Sequence, residues 1–168
     1  MLKKDGYAKK ELKDPQKAQK EVYFLKYLSL VIPIIPVPQY IDHYRYNDKY
    51  YVIMEEVKGK KFSKFDNGKL NIDITSLIGY FMKLKKIIID LAEEGYLHMD
   101  IKTDNLIVNS EGEVVLLDFS EAIHIDTSNT TLKWENIFKQ VDQYNKFLRS
   151  LTGINFFFEE ELAELRSN

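Results

Sequence analysis

Apolar residues follow the period of a strand in some segments of the chain and the period of a helix in others. Residues 6–12 predict a short strand. Asp14 and Pro15 then form a typical helix start, an N-cap acid with proline in the first turn. Four apolar residues recur at helical spacing after this start, namely Ala18, Val22, Leu25 and Leu28. We therefore predict an amphipathic helix over residues 15–30.

The middle of the chain predicts a hairpin followed by a connection. Prolines at positions 33, 36 and 38 end the first helix and favour an extended chain. Residues 39–57 are rich in aromatic and β-branched side chains, and Asn47-Asp48 supplies a turn between two strands. The polar stretch 58–71, which contains two glycines, is the predicted hinge between two halves of the protein.

The second half of the chain predicts mainly helix. A helix capped by Asp73 or Thr75 would run to Glu94, where Gly95 is suited to end it. This helix carries apolar residues on most sides, so we expect it to be buried. The other patterned segments are two short strands and two helical stripes, at residues 106–108, 114–117, 134–151 and 158–165.

Composition narrows the class of protein. The 168 residues are 45% hydrophobic and 30% charged, which is typical of a globular protein. The formal net charge of −2 gives no field that would attract nucleic acid or an anionic membrane, so we expect neither as a partner. Without cysteine there is neither a disulfide framework nor a thiolate metal site. No signal peptide is recognisable at the N-terminus, so we expect a cytoplasmic protein, or one delivered into a host cell by a route that the sequence does not show.

The most informative polar residues lie in HMDIKTDNLIV at residues 98–108 and in LLDFSEA at residues 116–122. Asp100, Asn105 and Asp118 supply oxygen atoms of the kind that Mg²⁺ prefers. Lys102, two residues beyond Asp100, can place an ammonium group beside a phosphate. Phosphoryl transfer needs an oriented hydroxyl and neutralised phosphate charge, and this set of side chains offers both.

These two segments resemble the catalytic loop H-x-D-x-K-x-x-N and the metal-binding D-F-G of the protein-kinase-like superfamily. The resemblance implies ATP and Mg²⁺ as cofactors. It also implies that Asp100 and Lys102 are catalytic and that Asn105 and Asp118 bind the metal ion. The histidine at the position of His98 is mainly structural in that family, and we interpret it so here.

Three upstream segments extend the resemblance in the order found in kinases: YAKKEL at 7–12, EVYFLKYL at 21–28 and KYYVIMEEVKG at 49–59. By that resemblance Lys10 holds the α- and β-phosphates of ATP, and Glu21 is its acidic partner. The other implied nucleotide-binding residues surround the adenine: Ala8 above it, Ile107 below it, Met54 at the gatekeeper position, and the backbone from Glu55 to Val57 along its edge.

The resemblance implies an α+β, two-lobed kinase-like fold in truncated form. Residues 1–57 would form an N-lobe without the first two kinase strands, and residues 58–168 a reduced helical C-lobe, with the hinge near 55–60. The sequence contains no G-x-G-x-x-G. Met99 replaces the arginine that binds a phosphorylated activation loop, and Ser120 replaces the glycine of D-F-G. The helix near 132–151 resembles the core helix of the C-lobe, with Asp142 as the nearest candidate for its anchoring acid.

Three functions remain open from the sequence. The leading interpretation is a minimal serine/threonine-type protein kinase, similar to small kinases of bacterial effectors and viruses, that acts on a protein substrate and depends on an activating protein partner. Lys102 favours it, because a lysine two residues after the catalytic aspartate marks that branch. The alternatives are a small-molecule phosphotransferase of the aminoglycoside or choline kinase type, and a kinase-like binding module without activity. A phosphate-transfer assay with and without Mg²⁺ separates the last from the others.

Overall fold

The computed structural model describes residues 2–4, 6–32, 35–62, 74–125 and 130–152. The predicted stripe at 158–165 and the predicted cap Asp73 lie outside these residues. The elements in chain order are β1 (Leu2–Lys4), β2 (Tyr7–Leu12), α1 (Pro15–Val31), β3 (Tyr40–Tyr46), β4 (Lys49–Glu55), β5 (Gly59–Lys61), α2 (Ile74–Glu93), β6 (Tyr96–Leu97), a 3₁₀ turn (Thr103–Asn105), β7 (Leu106–Asn109), β8 (Val114–Leu116), β9 (Ile123–His124) and α3 (Thr130–Thr152). This mixture of helices and small antiparallel sheets is the expected α+β architecture.

A four-stranded antiparallel sheet, in the order β1-β2-β4-β3, forms the N-terminal half. Helix α1 packs against strands β2, β3 and β4 of this sheet. Ala8 pairs with Met54 and Lys10 pairs with Val52. Alternate residues of a strand share one face, so Lys10 lies on the same face as the buried residues Ala8, Val52 and Met54. The pleat of β2 therefore directs the Lys10 side chain towards α1.

Helix α1 begins where the sequence predicts it. The Asp14 carboxylate accepts hydrogen bonds from the backbone N–H groups of Gln16 and Lys17, at 2.8 and 3.4 Å. Pro15 occupies the first helical turn, where the missing N–H costs no hydrogen bond. This early start matters because Glu21 follows Lys10 by only eleven residues, and it places Glu21 in the second turn of the helix.

Helices α2 and α3 pack against each other in the C-terminal half. The Tyr144 hydroxyl of α3 donates a hydrogen bond to the Phe81 carbonyl of α2 at 2.9 Å. Helix α2 is buried on one side only, since Ile78 is 46% and Met82 57% exposed. The expected burial of this helix is therefore present on the side that carries Phe81, Leu84 and Ile88, and absent on the side that carries Ile78 and Met82. Within the described residues, no helix is both long enough and apolar enough to cross a membrane.

Four short strands, β1, β5, β6 and β9, were not predicted from the sequence. Strand β5 lies in the polar stretch 58–71, which the sequence predicts to be the hinge. It pairs with β7 and so extends the β7–β8 hairpin. A glycine permits this pairing, because a Cβ atom at Gly59 would lie 2.2 Å from the backbone oxygen of Val108. Strands of two or three residues are too short to show a period that sequence analysis can detect.

Candidate active site

A cavity of about 470 Å³ opens between the inner face of the four-stranded sheet and the β7–β8 hairpin. Its volume lies in the range of small-molecule sites. Eight of the predicted site residues line it, namely Lys10, Glu21, Met54, Glu55, Val57, Asn105, Ile107 and Asp118. Ala8 is fully buried beside this cavity, opposite Met54 in the sheet.

Glu56, which belongs to the predicted backbone segment 55–57, also lines this cavity. Four further residues line it and were not predicted from the sequence: Pro38, Lys61, Asp104 and Leu117. Asp104 and Leu117 each adjoin a predicted site residue, so their positions in the sequence were a usable signal. Lys61 had no such signal, because it reaches the cavity through β5, which has no detectable pattern.

Lys10 connects two carboxylates at the inner wall of the cavity. Its Nζ atom lies 2.6 Å from Oδ1 of Asp118 and 3.0 Å from Oε1 of Glu21. The three residues come from β2, from α1 and from the loop after β8, so the packing of separate elements creates this cluster. The predicted pairing of Lys10 with Glu21 is present in the structure as an ion pair.

The two carboxylates respond differently to their surroundings. Burial raises the pKa of Glu21, whose side chain is almost fully enclosed, and the nearby Lys10 ammonium only partly opposes this effect. Burial alone would also raise the pKa of Asp118, but Lys10 and the hydrogen bonds from Ser120 outweigh it and lower that pKa to about 2. Asp118 is therefore ionised at neutral pH, as a cation ligand must be.

Asp118 is also held by its backbone and by Ser120. Its φ of +64° lies in the left-handed region, which Asp and Asn tolerate better than most residues. Oδ1 of Asp118 accepts hydrogen bonds from the Ser120 hydroxyl at 2.6 Å and from the Ser120 N–H at 3.3 Å. The serine that replaces the glycine of D-F-G thus adds a hydroxyl donor that a glycine cannot supply.

The loop before β7 orients Asp100. Its Oδ2 atom accepts hydrogen bonds from Nζ of Lys102 at 2.6 Å and from Nδ2 of Asn105 at 2.8 Å. Nδ2 of Asn105 also donates to the backbone oxygen of Asp100, at 3.0 Å. The 3₁₀ turn makes this possible, since it folds Asn105 back so that its N–H reaches the Lys102 carbonyl at 3.0 Å. The three polar residues of the loop therefore form one hydrogen-bonded group.

His98 is completely buried and supports this loop. Its Nδ1 atom accepts a hydrogen bond from the Asp100 N–H at 3.2 Å, so the proton lies on Nε2, which donates to the Leu117 carbonyl at 2.9 Å. Burial lowers the pKa of His98 to about 4, and the ring is neutral at physiological pH. A neutral ring with both nitrogens engaged agrees with the structural role expected for this histidine.

An aromatic column joins this loop to helix α1. The ring of His98 meets Phe119 edge-on at 4.8 Å between centroids, and Phe119 stacks on Phe24 of α1 at 6.2 Å. Phe24 also contacts Tyr96 edge-on at 5.5 Å. Because Phe119 directly follows Asp118, the packing of this ring fixes the position of the carboxylate next to it.

Helix α3 holds the loop from the other side. Oε1 of Gln140 accepts a hydrogen bond from the Met99 N–H at 2.9 Å, and Nε2 of Gln143 donates to the Met99 carbonyl at 2.6 Å. These bonds hold Met99 in a left-handed conformation, with φ of +64°. The interpretation of Asp142 as the anchoring acid is wrong, because Asp142 faces solvent and pairs with Lys146. Two glutamines one helical turn apart anchor the loop instead.

The oxygen atoms near Asp118 suit a metal ion that is shared with a substrate. Among the residues that the structure describes, no group of three or more His, Asp or Glu side chains could hold a metal by itself. Asp118 and Asn105 line the same cavity. Mg²⁺ is commonly bound by one or two protein oxygens together with substrate phosphates, and this pair fits that mode of binding.

This chain is similar in sequence to known proteins over much of its length. The family model described as the protein kinase domain matches residues 1–145. The chain is 27% identical over 136 residues to Citron Rho-interacting kinase of Mus musculus, and this match covers 77% of this chain and 6% of the mouse protein. It is 24% identical over 135 residues to MAP kinase kinase kinase SSK2 of Saccharomyces cerevisiae, and this match covers 78% of this chain and 8% of the yeast protein.

A third relative is CBL-interacting serine/threonine-protein kinase 15 of Arabidopsis thaliana, which is 35% identical over 72 residues. That match covers 42% of this chain and 17% of the plant protein. In all three cases the similarity spans less than a fifth of the relative's own length. The relatives thus share one region with this chain and extend well beyond it.

Proposed function

Because the chain belongs to the protein kinase domain family, we propose that it transfers the γ-phosphoryl group of Mg-ATP to a serine or threonine hydroxyl of a protein. The observation that carries this proposal is the meeting of Lys10, Glu21 and Asp118 at the wall of the cavity of about 470 Å³, which is called the larger cavity below because it is the larger of the two that border the loop 98–105. This cluster offers a cation for phosphates and an ionised carboxylate for a metal in one place, as phosphoryl transfer requires.

The nucleotide occupies the larger cavity in this proposal. Met54 and Ile107 supply apolar wall, with Ala8 buried behind it, and Lys10 binds the phosphates. The backbone from Glu55 to Val57 follows the adenine edge. The Val57 N–H makes no hydrogen bond within the described part of the chain, so it is available as a donor.

Mg²⁺ would be held by Asp118 and Asn105, and it would neutralise charge on the phosphates. Nδ2 of Asn105 is committed to Asp100, which leaves Oδ1 as the end of the amide that can bind a cation. Asp118 stays ionised because its pKa is lowered to about 2. These two residues therefore fit the metal role that the family resemblance implies.

Asp100 orients the acceptor hydroxyl and accepts its proton. The hydrogen bonds from Lys102 and Asn105 fix its carboxylate before any substrate binds, so little reorganisation is needed. Lys102 also carries a positive charge that is available to the transferring phosphate. A serine/threonine-type acceptor is supported by this lysine and by the name of the relative from Arabidopsis thaliana.

The test is transfer of radiolabelled phosphate from ATP to a mixture of protein acceptors, with and without Mg²⁺. Asp100→Asn should lower turnover by ~10²–10⁴ and leave nucleotide binding intact, because Asp100 serves the chemical step. Asp90→Asn is the control, since Asp90 lies on α2 in an ion pair with Lys86 away from the cavity. Near-normal turnover in Asp100→Asn would remove this residue from the mechanism.

The same assay separates the alternative functions. Transfer to an aminoglycoside or choline but not to protein would identify a small-molecule phosphotransferase. Absence of both transfer and Mg-ATP binding would identify a binding module. The proposal also includes an activating protein partner, so turnover is measured again after adding lysate of candidate host cells; saturable turnover that no lysate changes would exclude that part.

A further inference from the structure

A second cavity, of about 380 Å³, lies between the loop that carries Asp100 and helix α3. Asp100, Lys102 and Thr103 line it from the loop, and Gln143 and Lys146 line it from the helix. It shares no lining residue with the larger cavity. An acceptor that reaches Asp100 while a nucleotide fills the larger cavity would therefore approach through this second one.

The charged groups that line the second cavity leave one cation without a function in the proposed transfer. Asp100 and Lys102 compensate each other, with 2.6 Å between Nζ and Oδ2. The remaining charge is the ammonium of Lys146, whose side chain is 72% exposed. Its ion pair with Asp142, four residues earlier on α3, is exposed, and pairs of this kind stabilise proteins only slightly. Lys146 can therefore exchange this partner for an anionic group on a ligand.

The helix that carries Lys146 is firmly placed. Gln143, one turn earlier, donates a hydrogen bond to the Met99 carbonyl at 2.6 Å, and Phe147 is buried against Phe62 and Phe81. These contacts fix the backbone of α3 relative to Asp100. The fold thus sets the point at which the exposed Lys146 side chain leaves α3, relative to the site of transfer.

Building on the proposed function, we infer that the second cavity is the acceptor site and that Lys146 selects an acidic peptide. The acceptor hydroxyl would lie beside Asp100, and an aspartate or glutamate close to it in sequence would pair with Lys146. A peptide with lysine or arginine at the same position would meet a like charge and bind less well.

The experiment compares two peptide pools, each with a single serine, flanked in one pool by Asp and Glu and in the other by Lys and Arg. The wild type should have the higher kcat/KM for the acidic pool. Lys146→Glu should lower that value by roughly fivefold and raise the value for the basic pool, which is the size expected for one partly exposed charge pair.

Lys86→Glu is the matched control. Lys86 is also 72% exposed and also forms an ion pair with an aspartate four places away, but it lies on α2. Its substitution makes the same change in net charge without altering the second cavity. It should therefore leave the preference for acidic peptides as in the wild type, and a loss of preference in both variants would overturn the role of Lys146.

A binding measurement keeps this inference separate from the proposed function. The anisotropy of a fluorescent peptide from the acidic pool is followed without nucleotide, for the wild type and for Lys146→Glu. Transfer without an acidic preference, or with a preference that survives Lys146→Glu, overturns the inference and leaves the proposed function standing. Binding that depends on Lys146 without any transfer supports the acceptor site and counts against the proposed activity. If neither phosphate transfer nor binding of the acidic peptide is observed, both the inference and the proposed function are overturned.

Discussion

The single ammonium group of Lys10 is shared between an enclosed carboxylate and a more accessible one. Both side chains line the larger cavity, but that of Glu21 is 1% exposed and that of Asp118 is 30% exposed. A polyphosphate that enters the cavity can take the place of the Asp118 carboxylate beside Lys10, and this exchange would free Asp118 for a cation. The Glu21 contact would remain, because that carboxylate is almost fully enclosed and requires a cation beside it.

Asp118→Asn should abolish the Mg²⁺-dependent part of the rise in melting temperature that ATP causes. The neutral amide cannot supply the charge that Mg²⁺ needs, yet asparagine accepts the left-handed backbone at this position. Thermal unfolding with ATP, in the presence and absence of Mg²⁺, measures the effect. Asp48→Asn is a close control, since Asp48 has a φ of +57° and lies 2.7 Å from Arg45. An equal Mg²⁺-dependent rise in Asp118→Asn would exclude Asp118 as the metal ligand.

His98 should make the protein less stable as the pH falls from about 6.5 to about 4. The unfolded chain binds a proton at its ordinary pKa of 6.5, whereas the pKa of the buried ring is about 4. The stabilisation is therefore complete above pH 6.5 and is lost towards pH 4, by roughly 3 kcal/mol in total.

Denaturant unfolding at a series of pH values checks this pH dependence. His98→Gln should show a shallower decline in the free energy of unfolding across that range, whatever its stability at neutral pH. His124→Gln, which changes an exposed histidine, should keep the wild-type slope. Equal slopes in all three proteins would contradict the assignment of a buried neutral ring.

Strand β5 illustrates how an element without a strong pattern reaches the site. Its pairing with β7 places Gly59 opposite Asn109 and Lys61 opposite Ile107. Ile107 and Lys61 both line the larger cavity, so the register of this pair brings a lysine to its rim. The register depends on Gly59, because any larger residue there meets the backbone of Val108.

Gly59→Ala should lower the free energy of unfolding by roughly 1–3 kcal/mol, the usual cost of forcing an extra carbon into packed structure. It should also weaken ATP binding, because β5 must move and carries Lys61 with it. Urea unfolding and a nucleotide titration measure the two effects. Gly79→Ala in α2 is the contrast, since a Cβ there has no neighbour within 4 Å and should stabilise the helix by about 0.5–1 kcal/mol. Similar behaviour of the two variants would contradict the close approach at Gly59.

The two halves of the whole molecule are joined by several contacts that surround the larger cavity. Lys10 and Lys17 pair with Asp118 and Glu121, and the Leu116 N–H donates to the Pro36 carbonyl at 3.0 Å. Phe24 stacks on Phe119 across the same boundary. We propose a division into lobes at residues 57 and 58, as the sequence predicts, but expect these contacts to make the two lobes unfold together.

Val52→Ala tests this cooperativity from the N-terminal half. Val52 is buried in β4, and losing its two methyl groups should cost roughly 2 kcal/mol. Trp134 on α3 is the only tryptophan, so its fluorescence reports on the other half. The free energy of unfolding reported by Trp134 fluorescence should fall in Val52→Ala and should stay within about 0.5 kcal/mol of wild type in Leu30→Ala, since Leu30 is 73% exposed. An unchanged Trp134 midpoint in Val52→Ala would show that the halves unfold independently.

Features that depend on neighbouring residues could be predicted from the amino-acid sequence. Asp14 and Pro15 start α1 because a cap acts on the next two or three N–H groups. Asp100, Lys102 and Asn105 meet because they lie within six residues and one tight turn joins them. The order of motifs along the chain was also sufficient to indicate the protein kinase family and its α+β fold class, since that order can be read without any knowledge of packing.

Contacts between distant parts of the chain could not be predicted from the sequence, because they depend on how the elements pack. Lys10 and Asp118 are 108 residues apart, and their contact requires β2 and the loop after β8 to pack around the same cavity. The anchoring of Met99 by Gln140 and Gln143 instead of by Asp142 depends on how α3 is rotated about its axis against the loop. A helical period defines which residues share a face, but the element that the face contacts is set by the packing of the whole chain.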